Sequence, residues 1–336
     1  MKNFISKIFT ILLSLTLCFS LVCCVNDNGN GDGGNGDGGN GGNNGNPPPD
    51  SGLITTTQLQ GKVDEIESQA TLCLDAGNFG VLTFKVGSDS GQTLNGKPLY
   101  KRELNVVTIE GKLNGNSKTT FLKTFEFETN KQVSGQDVAV KTTIKTLKFK
   151  NLSFKENIKL IFNYASSEVC PVIIENLVFE NVEINNYEMP NVNGRHGIAI
   201  ETNCGAIKNL TFTNSKIINV NSPNASGIHF NDAGGVEKIT VENSVISGVN
   251  YNAIQVNKFS GELSITNSNI SFTGNRAIRI DDVKANSKIV IKSNAFSGLS
   301  GNQVFKISNV INPTEITVEL NTLDGAELVE EDYSIS

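Results

Sequence analysis

Tryptophan is absent from the 336 residues, methionine and histidine each occur twice, and cysteine occurs six times. Without Trp the chain lacks the broadest flat aromatic platform for a ligand. Lys and Arg number 28 against 34 Asp and Glu, a formal net charge of −6, which excludes a basic nucleic-acid binder. Apart from one stretch near the N-terminus, no apolar run approaches the ~20 residues that span a bilayer, which excludes a polytopic membrane protein. The cysteines show no CxxC spacing and no paired His, which argues against a zinc site. Cys73, Cys170 and Cys204 are read as buried apolar fillers, with a single Cys170–Cys204 bridge as the alternative.

What is present begins with a targeting pattern. Lys2 and Lys7 precede an apolar run from Phe9 to Val22, followed at once by Leu21-Val22-Cys23-Cys24. This resembles a bacterial lipoprotein signal, and the resemblance implies cleavage after residue 23 and a lipid on Cys24 that ties the protein to a membrane. Val25 in place of Asp after the acceptor implies outer-membrane sorting, with the mature chain periplasmic or surface-exposed. Residues 24–52 read as a tether. From 26 to 46 there is nothing but Asn, Asp and Gly, closed by Pro47-Pro48-Pro49, so no core can form. Such a coil reaches about 25–30 Å.

Residues 53–336 read as one repeat domain. Phe149, Phe179, Phe212, Val241, Ile265, Ile291 and Val318 are separated by 30, 33, 29, 24, 26 and 27 residues, each inside a short in-out-in strand. Two residues after the first five stand Asn151, Asn181, Asn214, Asn243 and Asn267. Asn tolerates the left-handed backbone, so these mark a repeated tight corner, with stacking of their amides expected. A second series, Ile198-Ala199-Ile200, Ile228-His229-Phe230, Ile254-Gln255-Val256, Ile278-Arg279-Ile280 and Phe305-Lys306-Ile307, keeps the same period. Val182-Glu183-Ile184 and Ile217-Ile218 supply a third. Three short strands per turn, each pairing with the next turn, describe an all-β, right-handed parallel β-helix, a solenoid whose handedness follows from the crossover rule.

The pattern is similar to the β-helix of the pectin-lyase-like superfamily. Thr57-Gln58-Leu59 through Val63, Ile66 and Ser68 has helical spacing with a Thr cap and matches the short N-terminal helix that plugs such solenoids. Thr71-Leu72-Cys73-Leu74-Asp75-Ala76-Gly77 resembles their first strand. Gly87 to Val140 breaks the period, and a hairpin or inserted loop is expected there. The fold hosts lyases, hydrolases, adhesins and scaffolds, so the outward residues must carry the functional argument.

In the second series the middle residues Ala199, His229, Gln255, Arg279 and Lys306 should form one outward row, with Glu201, Asn231, Asn257, Asp281 and Ser308 beside it. The longest loops, Asn185 to Arg195 and Asn219 to Ser226, border this face. The ligand-binding candidates on it are Tyr187, Arg195, His196, Glu201, Tyr251 and Arg276. The catalytic candidates are Asp232, Asp281, Asp282, Arg279 and His229. Family hydrolases use clustered aspartates with a His and a basic residue, and family lyases use calcium carboxylates with a basic side chain. Here Asp232 and Asp281, two turns apart, would lie roughly 9–10 Å from one another, at the outer limit for an inverting carboxylate pair. Glu201 and Asp232 are read as too remote from Asp281-Asp282 to complete the six oxygens of a calcium site. No metal or cofactor is therefore expected, calcium entering only under a lyase reading. Lys148, Lys150, Lys208, Lys238, Lys288 and Lys292, interleaved with Glu180, Glu237 and Glu242, read as a solvated surface that blunts strand edges. The expectation is an envelope lipoprotein whose β-helix binds a polysaccharide or cell-surface glycan. A carbohydrate-active lyase or hydrolase and a structural envelope scaffold are the alternatives.

Overall fold

The computed structural model describes residues 52–162, 170–185, 194, 196–202, 207–233, 235–271, 274–298 and 303–336. The signal, Cys24, nearly all of the tether, Tyr187, Arg195 and Cys204 lie outside the described residues. The chain winds into three long sheets joined by sharp corners, a parallel β-solenoid. The first sheet runs from Ala70–Leu74 to Glu315–Glu319, the second from Gly77–Phe84 to Thr322–Leu323 with an antiparallel partner at Ala326–Glu327, and the third from Ile158–Phe162 to Tyr333–Ile335.

The registers follow the apolar period. Phe149 pairs with Phe179, Phe179 with Phe212, Phe212 with Val241, and the line continues through Ile265 and Ile291 to Val318. Stacking identical faces at each turn places these side chains in one column, and Phe149 and Phe179 lie stacked with centroids 5.7 Å apart. One continuous core runs from Ile54 to Ile307. Among the described residues ten phenylalanines, including Phe125, Phe154, Phe212 and Phe230, are fully buried in it, each contributing about 1.5–3 kcal/mol.

At the corners Asn151, Asn181, Asn214, Asn243 and Asn267 all hold φ between 49° and 58°, and Ser293 and Leu320 continue the line. The expected amide ladder is short: Asn181 donates to Asn151 at 2.7 Å, whereas Asn214, Asn243 and Asn267 are exposed. The ladder instead runs one residue later and inward. The Ser215 N–H donates to Ser244 Oγ, Ser244 N–H to Ser268 Oγ, Ser268 N–H to Asn294 Oδ1, and Asn294 N–H to Asn321 Oδ1, at 3.0–3.2 Å. A backbone donor buried at a tight corner must find an acceptor, and the next turn supplies it.

Gly87 to Val140 holds three antiparallel hairpins, Ser88–Leu94 against the start of Lys97–Gly111, Leu113–Asn114 against Ser117–Lys118, and Lys131–Val133 against the start of Gln136–Lys150. The N-terminal helix is shorter than its spacing suggested, Leu59–Asp64, and its cap position is Gln58 with no side-chain cap bond, which corrects the Thr cap. Leu59, Val63 and Ile66 bury into the end of the core. Arg102, itself buried, donates to the Val63 carbonyl at the helix end at 2.5 Å and to the Ile66 and Lys85 carbonyls at 3.0 and 3.1 Å. Burial lowers the proton affinity of its guanidinium, opposed by Asp64. Cys73 is buried, as a filler would be. Cys170 is disulfide-bonded, which corrects the filler reading there; its partner lies outside the described residues.

Candidate functional site

The outward face of the third sheet assembles from one small-residue device. Gly197, Gly227, Ala253 and Ala277 each precede the first inward Ile of a strand. A Cβ on Gly227 would sit 2.6 Å from the Ala253 carbonyl oxygen and 2.8 Å from Ile246 Cγ2, and Gly197 is equally tight against Gly227 and Ile217. The turns therefore approach closely, and the residues just before and after these positions are stacked. Lys159, Ala199, His229, Gln255, Arg279, Lys306 and Ser334 form one outward row in register.

The row beside it departs from the alternation. A register shift between Ile200 and Glu201 pairs Glu201 with Asp232 rather than with Asn231. The two acidic residues, read from sequence as too remote from Asp281-Asp282 for a calcium site, thus face each other on adjacent turns, whose backbones lie about 4.8 Å apart. Farther along, Asn257 pairs with Asp281 and Asp281 with Ser308.

Two hollows share this wall. The larger, about 630 Å³, is lined by Asp232, Gln255, Lys258, Arg279, Asp281 and Asp282 among others. Two of its acids are paired with cations. Lys258 Nζ lies 3.1 Å from Asp232 Oδ2, and Arg279 Nε lies 2.6 Å from Asp281 Oδ2 while Ser308 Oγ donates to Asp281 Oδ1 at 2.6 Å. Asp282 adopts φ 58° at the corner and accepts from Asn309 Nδ2 at 2.8 Å. Both Asp281 oxygens and an Asp282 oxygen are thus engaged within the wall. Among the described residues no group of three or more His, Cys, Asp or Glu is placed to hold a metal ion.

The smaller hollow, about 400 Å³, is lined by Lys159, Ile161, His196, Ala199, Glu201 and His229 among others. Ala199, only 8% exposed, is its floor: a small side chain between Lys159 and His229 leaves the space open. His196 is brought there by the short segment after Gly194, whose φ of 70° turns the chain. Gly194 N–H donates to the Pro223 carbonyl and Gly197 N–H to that of Ser226. His196 and His229 then meet, Nε2 to Nδ1 at 2.9 Å with centroids 4.1 Å apart, and the Ser226 N–H donates to His196 Nδ1 at 2.9 Å. Burial, then the proximity of His229, lowers the His196 pKa to about 3; burial lowers that of His229, with Glu201 opposing.

The remaining candidates sit at the margin. Tyr251 places its hydroxyl 3.4 Å from Arg279 Nη1, and Arg276 donates to Asn275 Oδ1 at 3.1 Å and lines neither hollow. The reading from sequence missed Lys159, Ile161, Ser226 and Lys258. Ile158-Lys159-Leu160 carries the same in-out-in pattern as the second series, but it precedes Ile198 by 40 residues, so the period did not reveal it. No family model, no curated protein and no solved structure matches the chain.

Proposed function

We propose that this chain is an exported, lipid-anchored β-helix of the pectin-lyase-like kind, standing at the outer membrane, that holds a polysaccharide or cell-surface glycan along the outward wall of its third sheet without turning it over. The observation that carries this reading is the pairing of Asp232 and Asp281 with cations of the wall. Asp232 and Asp281 are each held by a cation from the wall, and Asp281 by a serine as well. Such groups offer fixed donors and acceptors to sugar hydroxyls, while a proton shuttle would need one of them released. The disulfide at Cys170 supports an oxidising, extracytoplasmic location. The lipid on Cys24 and the sugar-type ligand rest on the sequence patterns.

The test is a glycan array with the full chain in detergent, alongside assays for reducing ends and for ultraviolet-absorbing unsaturated products on acidic polysaccharides. Retention without turnover, weakened by Arg279→Ala, is the expected result. Product formation would overturn it, and silence in every assay would favour the scaffold.

A second reading, a carbohydrate-active enzyme, is favoured by one observation, the register that sets Glu201 beside Asp232. Hydrolases of this kind work with a pair of carboxylates, and retaining ones hold the two carboxyl groups about 5–5.5 Å apart, a separation that the side chains rather than the register would have to provide. Under that reading turnover would be seen and would vanish in Glu201→Gln.

A further inference from the structure

The chain has two histidines, and the solenoid brings them together with their protons assigned by geometry. The backbone N–H of Ser226 can only donate, so the His196 Nδ1 that it meets must be bare. A neutral His196 then carries its proton on Nε2, and that proton points at His229 Nδ1. His229 Nδ1 must therefore accept, which leaves the proton of His229 on its own Nε2. The other arrangements fail. A proton on His229 Nδ1 would face the Nε2–H of His196 or demand an imidazolate. A second proton on His196 would oppose the Ser226 N–H. Burial works in the same direction, lowering the proton affinity of both rings.

The outer edge of His229 is the end of this chain of donors. Its Nε2 has no hydrogen-bond partner among the described residues, and the ring lines the smaller hollow with Lys159, Ile161 and Glu201. Ile161 is 39% exposed there, an apolar surface beside polar groups.

We propose that His229 is a neutral, fixed N–H donor to an oxygen of the bound ligand, that His196 is its positioning residue, and that the ligand is a hydroxylated ring whose apolar face lies on Ile161 and whose hydroxyl donates to Glu201. This rests on the carbohydrate-binding reading above and gives it a contact point. It also changes the part assigned to His229 from sequence: a ring whose Nδ1 is occupied and whose Nε2 is protonated gives a hydrogen bond and takes no proton.

The test reads the unaltered chain, with a single variant for assignment and comparison. The full chain labelled with ¹⁵N-histidine, in detergent, shows two rings by long-range ¹H–¹⁵N correlation, assigned with His196→Gln. Both rings are expected as neutral Nε2–H tautomers from pH 8 to well below the ordinary imidazole value of about 6.5. The charged groups around them are Lys159 and Glu201 from the preceding turns, Asp232 on the same strand, and Lys258 and Arg279 from the following turns. D-Glucose, D-galactose and D-glucuronate are then added singly. A shift of the His229 Nε2–H with at least one of them, the tautomers unchanged, is the expected result. Either ring titrating near 6.5, or an Nδ1–H tautomer on His229, overturns the proposal. Locked rings that respond to none of the three sugars overturn the ligand role and leave a structural pair. A shift with a monosaccharide while no polysaccharide is retained breaks only the functional reading above. In His196→Gln, His229 should begin to titrate closer to its ordinary value and the sugar response should weaken about tenfold, a change that a merely structural role for His196 would not produce.

Discussion

The outward faces of the first and third sheets are built on the same alternation, and they do different things. On the first, lysines and glutamates of successive turns pair across the stack: Lys238 with Glu262 at 3.0 Å, Lys292 with Glu319 at 3.0 Å and Lys288 with Glu315 at 3.5 Å. These side chains are long and roughly half exposed, so water screens them and each pair contributes little. On the third, histidine, glutamine, aspartate and arginine stand among the lysines, Asp281 and His196 each have two partners, and a bulge and an alanine floor open hollows between them. A solenoid makes rows on every face; here the row that opens into hollows is the one with mixed polar groups and a local break in the stack.

The inner column sets the largest expected effect. Phe179→Ala should cost about 3–5 kcal/mol, measured by chemical denaturation, because a cavity in a close-packed stack collapses poorly. A cost below 1 kcal/mol would mean that the column is not packed as described. Next comes the small-residue device under the third sheet. Gly227→Ala forces a methyl against the Ala253 carbonyl and should destabilise by about 1–3 kcal/mol. It should also disturb the His196–His229 contact, which begins one residue away at Ser226.

The histidine pair separates the two faces by pH. Its folded proton affinity is depressed, to about 3 for His196, so between about 6.5 and 3 the unfolded chain binds protons that the folded chain does not. The stability that the neutral ring contributes is complete above about pH 6.5 and drains as pH falls towards 3, by up to about 1.4 kcal/mol per pH unit. His196→Gln should flatten that slope relative to the parent, whereas Lys238→Ala on the first sheet should leave it unchanged and cost under about 1 kcal/mol. Equal slopes in His196→Gln and parent would refute the buried neutral ring. The smallest effect lies at a corner. Leu320 holds φ 54° and is 72% exposed where earlier turns place Asn. Leu320→Asn should stabilise by up to about 1 kcal/mol, and a loss would show that its side chain is packed.

Much of this molecule is legible along the chain. The spacing of Phe149, Phe179 and Phe212 to Val318 determined the strands and their partners, because a period of 24–33 residues can bury its apolar face only by stacking turn on turn. The positive φ at Asn151 to Asn267 followed from the one residue type that tolerates it cheaply. Three things waited for the tertiary structure. The inward Ser and Asn ladder, the shift that sets Glu201 beside Asp232, and the locked contact of His196 with His229 each join residues 24–33 positions apart. Periodicity gives the column a residue occupies, not the one-residue slip of a bulge or the tautomer that a backbone N–H on the next turn imposes.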